Sequence, residues 1–187
     1  MAWHRLAGYG VLGTVWFRLA WGFWGGETAR FGSFVRGPAA TCRYVRKLFA
    51  REGNNAPTLL GHNPLGALSI LVMLTLLVTQ TTFGLFAVDV DGIESGPWAK
   101  WVSFGTGRRF AHWHSTNFHL LLGMIGVHLS ALAFYRFARK EHLVLAMIHG
   151  YKERTSSGPV PYFVPWWRAV LLAVGIAACV TAAVNIR

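Results

Sequence analysis

Acidic residues are scarce in this chain. Seven Asp and Glu stand against 18 Lys and Arg, giving a formal net charge of +11. Charge of either sign is scarce too, at 13% of residues against 53% hydrophobic, which argues against an ordinary soluble domain. The positive charge is concentrated mostly in two loops. That distribution suits a membrane surface and speaks against a nucleic-acid partner. Cysteine is nearly absent: Cys42 and Cys179 are far apart and form no CxxC. They define neither a disulfide framework nor a zinc site. No CxxCH occurs, so covalent haem attachment is not encoded.

What the chain does have is long apolar runs, and one of them carries histidine. The stretch Arg108 to Arg136 holds His112, His114, His119 and His128 between basic ends. A helix rises about 1.5 Å and turns about 100° per residue, so His114 and His128 lie about 21 Å apart but only about 40° apart around the axis. His112 and His119 also share a face, but only about 10 Å separates them, too little for two large cofactors. His119 and His128 point to opposite faces. Imidazoles inside a membrane are costly and point to function. One helix with a ligand in each leaflet suggests two stacked haems and an electron path across the bilayer.

The first apolar stretch, Trp3 to Trp24, reads as a helix and not as a signal peptide, because Arg18 interrupts it and no clean cleavage site follows. His4 and Arg18 are again 14 residues apart and share a face. Gly8 lies one turn after His4, where a missing side chain admits a flat macrocycle. Arg18 then points into the bundle in the opposite leaflet. A haem propionate is its favoured partner, with snorkelling to the interface as the competing role. The basic loop from Gly25 to Gly61 contains an amphipathic helix over about Ala39 to Arg51, suited to lie on lipid phosphates. A second span opens at GHNPLGAL, with Asn63 as N-cap and Pro64 in the first turn, and runs to about Val88. His62, just before it, reads as solvated or capping. Gln80, Thr79, Thr81 and Thr82 are expected to bond between helices, with a quinone pocket as an alternative. A loop with Asp89, Asp91, Glu94, Trp98 and Trp101 leads into the histidine helix. His142 and His149 fall in the following basic loop, and a last span covers about Trp166 to Val184. The fold class is therefore all-α: an integral membrane bundle with four transmembrane helices.

The strongly basic loops follow the first and third spans, which places both on the cytoplasmic side. The first and third helices then run inward in parallel. His4 and His114 share the outer level and can grip one iron from two sides. His128 and Arg18 lie deeper, and no histidine on another span matches the level of His128. The simplest expectation is that a further helix, preceding Met1 in the full gene product, supplies that ligand.

The elements HRLAGYGVLGTVWFRLAWGFWG with ARFGSFVRGP, GHNPLGALSILVMLTLLVTQTTFGLF, HSTNFHLLLGMIGVH and EHLVLAMIHGYK occur in this order. In that combination the chain resembles the bacterial cytochrome b561 family, shared with the b-type cytochrome subunits of nickel–iron hydrogenases. The resemblance covers about residues 3 to 152. It implies a four-helix core with two b-type haems (heme b), each held by two histidines. It assigns His4 and His114 to the outer haem and His128 to the inner one, whose other ligand comes from a first helix that this sequence lacks. Residues 1–152 then form the haem-binding domain, and 153–187 a linker and additional helix. The implied activity is electron transfer in the bacterial inner membrane, between the quinone pool and a redox partner such as a periplasmic cytochrome c or a hydrogenase-like subunit. A homo-oligomer is compatible with this reading. The rival reading is a non-redox membrane anchor or a transporter subunit whose histidines relay protons.

Overall fold

The computed structural model describes residues 1–49, 63–138 and 162–185, and no side chain between 47 and 49. His62, His142, His149, the EHLVLAMIHGYK element and the domain boundary at 152 lie outside the described residues. The described elements are helices: α1 (Ala2–Trp24), a single turn α2 (Phe31–Phe34), α3 (Pro38–Phe49), α4 (Pro64–Phe86), α5 (Phe104–Phe137) and α6 (Trp166–Val184). Two short 3-10 turns, Glu27–Ala29 and Ala99–Trp101, fall between them, and among the described residues the one β-type pairing is an isolated bridge between Val88 and Ser95. It closes around Gly92, whose φ of 69° is left-handed and suits glycine.

Side-chain caps set two of the starts. Asn63 Oδ1 accepts the Gly66 N–H at 2.6 Å, with Pro64 in the first turn of α4. At α5, Ser103 Oγ accepts the Thr106 N–H at 3.3 Å. The helix therefore begins one turn before Arg108, because the cap and not the apolar run decides where the chain can start to coil.

Helices α4, α5 and α6 are long and apolar enough to cross a membrane. Helix α1 equals α4 at 23 residues but carries His4, Arg5 and Arg18, and it falls outside that group. The apolar faces stay exposed: Leu120, Val127 and Leu171 are 59%, 62% and 63% accessible. A surface of this extent needs a hydrocarbon solvent.

The helices alternate in direction. At one end, the start of α1 meets the loop before α5, where an Arg5 Nη is 3.6 Å from a Glu94 carboxylate oxygen. Trp98 Nε1 there donates to the Ala183 carbonyl at the end of α6 (2.8 Å). At the other end, the Glu27 N–H donates to the Tyr162 carbonyl at 3.1 Å. α4 and α5 share the most extensive contact, and α1 packs against α4 and α6. Phe83, Phe86, Phe110 and Trp113 interlock between α4 and α5, with Trp98 and Trp101 stacked beyond them. The amphipathic α3 is held at the Arg18 end, where the Tyr44 and Tyr135 hydroxyls lie 3.0 Å apart and Asn63 Nδ2 donates to the Tyr135 oxygen at 3.1 Å.

Candidate functional site

α1 and α5 make no extensive contact, and a cavity of about 450 Å³ opens between them with α4 as its back wall. Cofactor sites commonly run from about 300 to 1,000 Å³. Apart from its histidines and a few polar groups, the cavity is walled by Ala7, Leu12, Leu77, Phe118 and Leu121. His4 from α1 and His114 from α5 face each other across it. Their ring centres are 5.9 Å apart and their planes meet at 80°.

Local sequence explains how each ring is held. Gly84 lies where a Cβ would stand 3.0 Å from His114 Cε1 and 3.3 Å from Nδ1. Its bare backbone lets the imidazole lie against α4. His114 Nδ1 donates to the Gln80 carbonyl, one turn earlier, at 3.0 Å. A carbonyl only accepts, so the proton is on Nδ1 and Nε2 is the basic nitrogen. The Gln80 side chain, at 3.2 Å, donates to that nitrogen. Gln80 Oε1 in turn accepts from Asn117 Nδ2 at 2.7 Å, and the same amide nitrogen reaches the Leu76 carbonyl at 3.0 Å. Asn117 is the buried polar residue among those described. Gly8 has open space where a Cβ would be and lines the cavity beside His4.

The donor set suits a macrocyclic metal. Among the described residues no group of three or more His, Cys, Asp or Glu could hold a bare ion. Two imidazoles leave most of a metal's coordination sphere to other donors, which a planar tetradentate group such as haem would supply. His4 and His114, with ring centres 5.9 Å apart across the cavity, are the residues that would hold it. A haem would displace the Gln80 amide from Nε2 and leave the Nδ1 bond to the Gln80 backbone in place.

The remaining candidates are not in this cavity. His128 is on α5 toward the other end, with Nδ1 3.1 Å from Ser69 Oγ on α4. Arg18 donates from Nη1 to the Ala29 carbonyl at 3.3 Å and lies 4.9 Å from the Phe31 ring centre. His119 is exposed and turns Nδ1 to the Ser115 carbonyl on its own helix, at 2.8 Å. The threonines do not bond between helices as expected: Thr79, Thr81 and Thr82 each donate to a carbonyl of α4 one turn back. Gln80 alone of that group reaches α5. Gln80 bonds between helices as expected; the parts that sequence reasoning missed are Gly84, Asn117 and the choice of His114 as the partner of Gln80. A Gln and a Gly one turn apart in an apolar helix was the available signal.

Two imidazoles facing across a cavity, in a bundle with membrane-length helices, are compatible with a haem-binding membrane protein. The sequence profile of the family described as prokaryotic cytochrome b561 matches residues 1–150, and the chain belongs to that family. It is therefore a multi-pass membrane protein of a class that binds b-type haem and transfers electrons. No curated protein and no solved structure matches the chain.

Proposed function

We propose that the chain passes electrons between membrane quinone and a redox partner through a b haem held by His4 and His114. The reading is supported above all by the facing of these two rings across the apolar cavity. His4 and His114 would hold the haem, which would supply one-electron transfer. The Gln80 carbonyl fixes the tautomer of His114 and keeps Nε2 directed away from its own helix. Gly8 leaves room beside His4. Ala7, Leu12, Leu77, Phe118 and Leu121 give the cavity a largely apolar wall.

α1 acts as a fourth span, antiparallel to α4 and α6. The basic Arg18 end faces the cytoplasm and the His4 end the periplasm of a bacterial inner membrane. His128, steadied by Ser69, and Arg18, as a propionate donor, serve a second haem at the cytoplasmic level. The loop around Trp98 to Arg109, at the His4 end, is the docking surface for a soluble cytochrome c or a hydrogenase-like subunit.

The test is spectroscopic. Purified protein should show a low-spin b-type reduced-minus-oxidised spectrum and should be reduced by a short-chain quinol. His114→Ala should remove the signal of the outer haem. A preparation that loads haem but is not reduced by quinol would contradict the quinone role. A signal indifferent to His114→Ala would contradict the ligand assignment.

A further inference from the structure

A second cavity, remote from the histidines, opens at the Arg18 end between α1 and α6. Its volume is about 580 Å³, and Trp21, Phe23, Trp24, Arg30, Arg168 and Leu172 line it. The aromatic residues come from the last turn of α1. Arg168 and Leu172 lie one turn apart at the start of α6, and Arg30 comes from the bend after α1.

The lining includes two guanidinium groups and no acid. Among the described residues neither meets a carboxylate: the ion pairs found there are those of Glu94, at the opposite end. Among the described residues Arg30 donates from Nε to the Gly25 carbonyl at 2.9 Å, and no bond from its terminal nitrogens is found there. Arg168 lies with its guanidinium 5.3 Å from the ring centre of Trp167, a contact that does not itself use its N–H donors. Two like charges on one cavity repel each other, and an anion between them removes that penalty. Guanidinium forks match phosphate oxygens in geometry and in charge.

The rest of the wall selects among phosphates. Three aromatic rings and a leucine offer nothing to a freely dissolved ion. They suit the glycerol backbone and first methylenes of a lipid, and tryptophans belong at that depth of a membrane. Basic pockets between membrane helices on the cytoplasmic side are where anionic headgroups collect.

We propose that this cavity binds one anionic phospholipid, its phosphate between Arg30 and Arg168 and its chains against Trp21, Phe23 and Leu172. The lipid ties the first turns of α6 to the end of α1. It reinforces the bonds that Glu27 makes to Tyr162 through its N–H and its carboxylate. Four of the lining residues lie within the stretch that matches the family, and Arg168 and Leu172 of α6 lie beyond it. The site does not depend on the haem assignment.

Native mass spectrometry of the full-length protein in detergent tests this, with phosphatidylglycerol, phosphatidylcholine and inorganic phosphate titrated separately. One phosphatidylglycerol per chain should be retained about tenfold more tightly than phosphatidylcholine. Arg30→Gln and Arg168→Gln should each weaken it about five-fold, the scale of one basic residue at a headgroup. Arg43→Gln, on α3 and outside the cavity, should not. An unchanged melting temperature in detergent in each variant shows that the bundle is folded. Equal retention of the two lipids, or full retention after Arg168→Gln, would overturn the proposal. Displacement of phosphatidylglycerol by an equal concentration of inorganic phosphate would overturn the lipid assignment in favour of a free-anion site.

Discussion

Both nitrogens of the His114 ring are engaged by one residue, Gln80, through its backbone and its side chain. The two bonds have different consequences. The backbone bond survives any substitution at position 80, so Gln80→Leu should retain haem with an unchanged spectrum. The amide network beneath it should suffer instead. Asn117 is buried, and its amide donates to Gln80 and Leu76. Asn117→Leu should lower stability by about 1–3 kcal/mol through the partners left unpaired, read as a lower melting temperature with haem still bound. Gly84→Val acts on the ring itself. Its Cβ would stand 3.0 Å from His114 Cε1, and crowding of that kind costs about 1–3 kcal/mol. Haem content per chain should fall, while His119→Ala, at an exposed ring on the same helix, should leave it unchanged.

Helix boundaries were legible where a side chain states them. Asn63 and Pro64 announced the start of α4, and the structure has the cap in place. Asn63→Ala should cost about 0.5–2 kcal/mol and also release the bond to Tyr135, which thermal melts in detergent would register. The start of α5 was misplaced by one turn because an apolar run is a blunter marker than a serine hydroxyl. α3 was legible from its amphipathic pattern, and it spans Pro38–Phe49. The partner of α6 was not legible. A helix apolar all round carries no stripe to say which side packs, and its contact with α1 appears only in three dimensions. The pairing of His4 with His114 followed from depth and direction alone. The interhelical bonding expected of Gln80 is present, but its partners His114 and Asn117 were not legible, because they depend on how closely α4 and α5 approach at Gly84, which no single-helix pattern encodes.

For the whole molecule, the alternation of helix directions puts the Asp89–Trp101 loop and the Gly25–Pro38 segment on opposite sides. With basic residues retained in the cytoplasm, a reporter inserted near Asp91 should be active only if it functions outside the cytoplasm. One inserted near Arg36 should behave in the opposite way. Identical behaviour at both positions would contradict the topology. The same arrangement sets His4 and His114 at one level of the bundle, on helices that run in the same direction, with their rings facing each other.

The most direct measurement is haem content and axial ligation, by optical and electron paramagnetic resonance spectra, in wild type, His4→Ala and His114→Ala prepared with ample haem. The expected result is that each substitution alone removes the same low-spin bis-imidazole signal, and that His112→Ala does not. Retention of that signal in either His4→Ala or His114→Ala would contradict the account.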